Sequence, residues 1–161
     1  MAMTYSTLSD RSGVTRQTLY RHWPRLELLF ADLVLAGPAV GYPSPHTDPS
    51  FVATEFLTSL RSGMDDPTTA AALMALAAQA DRDQASASAL AAIAADRCAA
   101  LNTLLGNTDR TIDDAEFARL VGPVFFQRFV ARQPVTDELI HDAVAVWLAT
   151  PTRAQRVADR R

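Results

Sequence analysis

A single glycine fixes the geometry of the first part of this chain. Gly13 stands between two short runs that each read as a helix. Glycine is the residue that takes the left-handed backbone needed to close one helix and turn sharply into the next. Thr4 caps the first of these helices, which carries Leu8, Ser9 and Ser12. Val14 is placed to pack back onto it, and Thr15 offers a hydroxyl to cap the second. At about 100° per residue, Leu19 and Trp23 fall on one side of the second helix, read as residues 15–23. Gln17, Thr18, Tyr20 and Arg21 spread mostly over the opposite side. An apolar inner seam with a polar, cationic outer face suits a helix lying in a DNA major groove. A solvated surface helix shows the same pattern, and the pattern alone leaves both readings open.

Charge adds to the argument. The chain carries −3 overall, yet residues 1–26 hold Arg11, Arg16, Arg21 and Arg25 against Asp10 alone. That is a net +3 at the start and −6 over the remaining 135 residues. A small basic head on an acidic body fits local phosphate contact with the body held away from the duplex. Four arginines that merely keep a small surface solvated would give the same count.

The stretch Leu8-Ser9-Asp10-Arg11-Ser12-Gly13-Val14-Thr15-Arg16-Gln17-Thr18-Leu19-Tyr20-Arg21-His22-Trp23 resembles the signature of the TetR/AcrR family of transcriptional regulators. That signature runs Ile/Leu-Ala, then Ala-Gly-Val-Ser, then Thr-Leu-Tyr, a basic residue and His-Phe/Trp. Glu27-Leu28-Leu29 is similar to the start of the family's next helix, which links the head to the body and carries the ligand signal by tilting. The resemblance implies that Thr15, Tyr20 and His22 contact phosphates while Arg16, Gln17 and Thr18 face bases. Arg21 and Arg25 are the cationic candidates for the DNA backbone. Arginine reads guanine and glutamine reads adenine through paired hydrogen bonds. Two departures stand out. Leu26 occupies the place of the family's phosphate-reaching Lys, with Arg25 one residue earlier as its substitute. The family also has a helix ahead of this motif, and only Met1-Ala2-Met3 precede Thr4. That first helix is expected to be missing, which leaves the seam of Leu8, Val14, Leu19 and Trp23 short of one wall. Either the chain is a shortened form or something else covers the seam.

The rest of the chain reads as helical, so the expected fold class is all-α: an N-terminal helix-turn-helix without the usual first helix, then an α-helical ligand-binding and dimerisation domain. Residues 1–36 form the partial DNA-binding domain with its connecting helix, 37–50 a Pro/Gly-rich linker, and 51–161 the regulatory body. Pro24 stops the recognition helix, because the residue before proline is pushed out of helical geometry. Residues 25–36 place Leu26, Leu29, Phe30, Leu33 and Val34 on one face, with Gly37 as the stop. Further helices are expected from Ser50 to near Ser62-Gly63, from Asp66-Pro67 to Ala80, over 85–105, over 113–132 and from Thr136 onward. Gly122-Pro123 should bend the 113–132 run or delay its start. The tail beyond Pro151 reads as frayed.

Within the body, Phe56, Met64, Met74, Phe117 and Phe125 are the side chains that could line a small-molecule cavity; each also reads as plain core. The stretch 122–128, with Pro134-Val135-Thr136-Asp137-Glu138 and the last helix, resembles the C-terminal domain of one TetR subgroup, where the final two helices pair across a dimer. The aromatic surplus on these helices argues the same way. Phe125, Phe129, Ile140, Val144 and Trp147 are the expected interface; filling only their own core is the alternative.

No Gly-x-Ser-x-Gly, HExxH, phosphate loop or Cys/His cluster occurs, so no enzyme, metal or cofactor is expected. The carboxylates at 65–66, 81/83 and 113–114 sit at helix boundaries, where capping accounts for them. Cys98, the single cysteine, reads as a small apolar residue, with a redox role as the alternative. No leader segment and no uncharged run of about 18 apolar residues is evident, so the cytoplasm is the expected compartment and no membrane is expected. The reading is a ligand-responsive repressor, a homodimer on a pseudo-palindromic double-stranded DNA operator, with an effector the sequence does not identify. The alternative is a truncated paralogue that dimerises and takes up a small molecule without binding DNA.

Overall fold

The computed structural model describes residues 4–35 and 44–151. The stop expected at Gly37, the first half of the 37–50 linker and the arginine-bearing tail lie outside the described residues, as do the side chains of Phe30, Leu33 and Val34. The fold is all-α. Helices α1 (Tyr5–Ser12), α2 (Arg16–His22), α3 (Leu26–Leu35), α4 (Pro49–Asp65), α5 (Pro67–Ala80) and α6 (Gln84–Leu104) follow in order. A 3-10 turn, Leu105–Asn107, closes α6; α7 (Asp114–Phe125) passes into a π-helical turn, Phe126–Val130, and α8 (Asp137–Ala149) ends the described chain.

The helix starts follow local chemistry. Thr4 forms a full capping box on α1: its hydroxyl accepts from the Thr7 N–H at 3.2 Å, while its own N–H donates to Thr7 Oγ1 at 2.9 Å. Asp66 accepts from Thr69 N–H at 2.7 Å with Pro67 opening α5. Asp113 accepts from Glu116 N–H at 2.8 Å, and the Thr136 hydroxyl accepts from Leu139 N–H at 3.3 Å. Asp83 caps α6 through the Ser86 N–H at 2.6 Å. Three of the boundary carboxylates thus have capping roles.

The chain divides into two compact units. Met1–Ala39 cluster with Asp65–Ala94; Val40–Met64 cluster with Ala95–Arg161. Residues 65–94, which the sequence groups with the C-terminal body, therefore fall with the N-terminal helices. In the first unit α1 packs on α2 and α3 packs on α5. Ala31, Leu76 and Ile93 form a buried cluster there, flanked by Leu28 and Ala89. In the second unit α7 packs on α8. Val52, Phe56, Leu57, Leu101, Leu105, Leu120, Val124 and Ile140 are its most deeply buried large side chains. Each side chain so buried contributes about 1.5–3 kcal/mol.

Pro123 neither delays nor ends α7. The helix starts at its Asp113 cap and runs through the proline. Pro123 has no N–H for the Arg119 carbonyl, and the winding loosens to a π turn immediately afterwards. The stretch Gln84–Asn107 is long and apolar enough, by length and composition, to cross a membrane. It carries Asp96 and Arg97 near its middle, and Ser86, Ile93, Cys98, Leu101 and Leu104 are buried along it.

Candidate nucleic-acid interface

Gly13 adopts the left-handed backbone, φ 71°, and its N–H closes α1 on the Ser9 carbonyl at 3.0 Å. Thr15 is extended, and its hydroxyl accepts from the Thr18 N–H at 3.2 Å to start α2. The turn between the two helices is thus built from one residue that tolerates positive φ and one that caps.

Around α2 the burial is one-sided. Leu19 alone is buried, while Thr15, Arg16, Gln17, Tyr20, Arg21 and His22 are exposed. Thr18 is half-buried, its hydroxyl paired with that of Thr15 at 2.9 Å, so it stands at the edge of the outer face. Among the described residues, Arg16 and Arg21 make no ion pair with a carboxylate. The outer face therefore presents two guanidinium groups, an amide, a phenol and an imidazole to whatever approaches it.

Trp23 differs from the expected placement. The helix ends at His22, and Trp23 is extended at φ −128°. Pro24 accounts for this, since its ring excludes helical geometry from the residue before it. Half-buried rather than sealed in the seam, Trp23 donates from Nε1 to Asp32 Oδ2 at 2.6 Å, tying the end of α2 to α3. Val14, expected to pack back onto α1, is 38% exposed. Leu8 is only half-buried, and α1 contains no buried residue.

Tyr5 is the residue the sequence reading passed over. Its hydroxyl donates to the Trp23 carbonyl at 2.6 Å, and its ring lies 4.1 Å from that of Tyr20. Partial burial, with Tyr20 and Glu27 nearby, raises its phenol above the ordinary range and keeps it a donor. Its place in the first turn of a capped helix, three residues before Leu8, was the available signal. Tyr5 thus sets the position of Tyr20, which remains 52% exposed.

Arg25 is not free for a phosphate. Its Nη2 is ion-paired to Asp83 Oδ2 at the start of α6, within the same unit. The Asp83 carboxyl is held at about 2, first by this arginine and then by the Ser86 backbone N–H.

The other expected sites are placed less favourably. Phe56, Met64 and Phe117 are buried in the second unit, with the Phe56 and Phe117 rings edge-on at 6.2 Å; Phe125 is half-buried against Phe129 at 5.7 Å. Met74 lies half-buried on α5 in the first unit. The expected dimer side chains also differ. Phe129, Ile140, Val144 and Trp147 are buried within the single chain, because the α7 and α8 apolar stripes face one another. The apolar side chains that this part of the chain leaves exposed are Phe126, Val130 and Val146. Cys98 is buried, and desolvation raises its thiol, which fits a small apolar role. Among the described residues, no three metal-ligating side chains converge.

Comparison with known proteins adds no relative: no family model and no curated protein matches this chain.

Proposed function

We propose that the chain is a DNA-binding transcriptional regulator of TetR type, a homodimeric repressor that sets α2 in the major groove of each half of a pseudo-palindromic operator and releases it on binding a small molecule. The observation that carries this reading is the one-sided α2: a glycine-turned, threonine-capped helix with Leu19 inward and Arg16, Gln17, Tyr20, Arg21 and His22 outward. Such a face offers both phosphate contacts and base-edge donors. Exposed Phe126, Val130 and Val146 supply apolar surface for a second copy.

A second reading is favoured by the half-open seam. Val14 is 38% exposed and no residue of α1 is buried, so the described packing of the head is light. A protein with a loosely held head would dimerise without gripping DNA. A mobility-shift titration on the promoter region of its own gene separates the two. Salt-sensitive binding supports the regulator, whereas a dimer that leaves the duplex unshifted at low salt supports the second reading.

A further inference from the structure

The Arg25–Asp83 pair joins the two ends of the first unit. Arg25 stands in the turn between α2 and α3, at the edge of the proposed DNA face, and Asp83 stands 58 residues away at the start of α6. Their side chains are 35% and 29% exposed, so the pair is open to competing anions. One oxygen, Oδ2, accepts from both Arg25 and the Ser86 N–H. Withdrawing the arginine therefore leaves the α6 cap in place. A guanidinium donates the same kind of charge-assisted N–H bonds to the anionic oxygens of a carboxylate and of a phosphate.

Resting on the DNA-binding reading above, we infer that Asp83 is an internal phosphate mimic: it latches Arg25 away from the DNA backbone and so lowers the affinity of the head for any duplex. The latch makes Arg25 a conditional contact. Arg16 and Arg21, which have no carboxylate partner among the described residues, are available at all times. Anything that moves the start of α6 away from α3 releases one further cation to the phosphates.

The test is the salt dependence of binding to a mixed-sequence duplex of about 20 base pairs, two helical turns. Asp83→Ser removes the carboxylate but still caps α6, and Asp83→Asn serves as a second variant of the same kind. Each added phosphate contact steepens the slope of log K against log salt by about 0.9, and a homodimer gains two, so a fourfold rise in salt should weaken Asp83→Ser about 12-fold more than the parent. Arg25→Ala should leave the parent slope unchanged and abolish the gain in Asp83→Ser. Asp81→Ser, which changes the same charge two residues away, should keep the parent slope. Equal slopes for the parent and both Asp83 variants overturn the latch while duplex binding stands. A shallower slope for Arg25→Ala in the parent overturns it in the same way. If no protein in the set binds the duplex at any salt, the DNA-binding reading falls and the latch falls with it.

Discussion

Arg110 ties the loop before α7 to the end of α8 through hydrogen bonds to three carbonyls. From the loop before α7 it reaches the C-terminal end of α8, where the last carbonyls of a helix have no partner in the helix itself. Nη1 donates to the Trp147 carbonyl at 3.1 Å, and Nη2 donates to those of Leu148 at 2.6 Å and Thr150 at 3.3 Å. The guanidinium also lies 5.0 Å from the centre of the Trp147 ring. A bond from a charged donor is worth about 1.5–3 kcal/mol when buried, but this site is half-exposed and water would recover part of each. About 0.5–1 kcal/mol for each of the two shorter bonds remains after that discount. Cation–π contact adds about 0.5–1 and the helix dipole about 0.5 kcal/mol. Arg110→Met, which keeps the stem, should therefore destabilise by about 2–3.5 kcal/mol. With a urea m-value of about 2 kcal/mol/M, the midpoint falls by about 1–1.7 M. Trp147 reports the transition directly in a Trp23→Phe background, since these are the two tryptophans. Arg110→Lys, with one ammonium in place of a fork, should recover about half. A midpoint for Arg110→Met within about 0.2 M of the parent would refute the capping argument.

Three further outcomes follow from the same contacts. Asn102 clamps Ile112 from both sides, donating to its carbonyl at 2.8 Å and accepting from its N–H at 2.9 Å. Asn102→Leu should cost about 2–3 kcal/mol and lower Tm by roughly 5–10 °C in a calorimetric scan; an unchanged Tm would contradict it. Asp83 is depressed from 3.8 to about 2 in the folded protein, so its contribution is complete above 3.8 and is lost as pH falls toward 2. Asp83→Asn should accordingly flatten the acid-unfolding profile in that window, and superimposable profiles would count against the pairing. Tyr20→Ala should weaken binding about equally for every duplex, whereas Gln17→Ala should change base preference by about 1–3 kcal/mol at one position; the reverse pattern in a competition assay would exchange their roles.

What the sequence made legible was local. Thr4, Gly13, Thr15, Asp66, Asp113 and Thr136 were readable because a cap or a positive φ needs only residues within three or four positions. Helical periodicity likewise marked which stripes of α7 and α8 are apolar. It could not say what covers them, and a stripe that packs against its neighbour looks the same as one that meets a second chain. That is why Ile140, Val144 and Trp147 read as interface yet lie inside the single chain. Contacts such as Arg25–Asp83 and Arg110 with the end of α8 join residues 37 to 58 positions apart and leave no periodic trace. Trp23 was within reach: helical spacing placed it beside Leu19, but the backbone constraint imposed by Pro24 overrides that spacing.

The central claim is that the outer face of α2 meets the duplex. The direct measurement is a heteronuclear NMR titration of the full chain with duplex DNA from its own promoter region, following backbone amides and arginine side-chain signals. The account predicts that perturbations concentrate on Thr15, Arg16, Gln17, Tyr20, Arg21 and His22 and that Leu19 is spared. Saturating DNA that leaves these signals unmoved while others shift would contradict it.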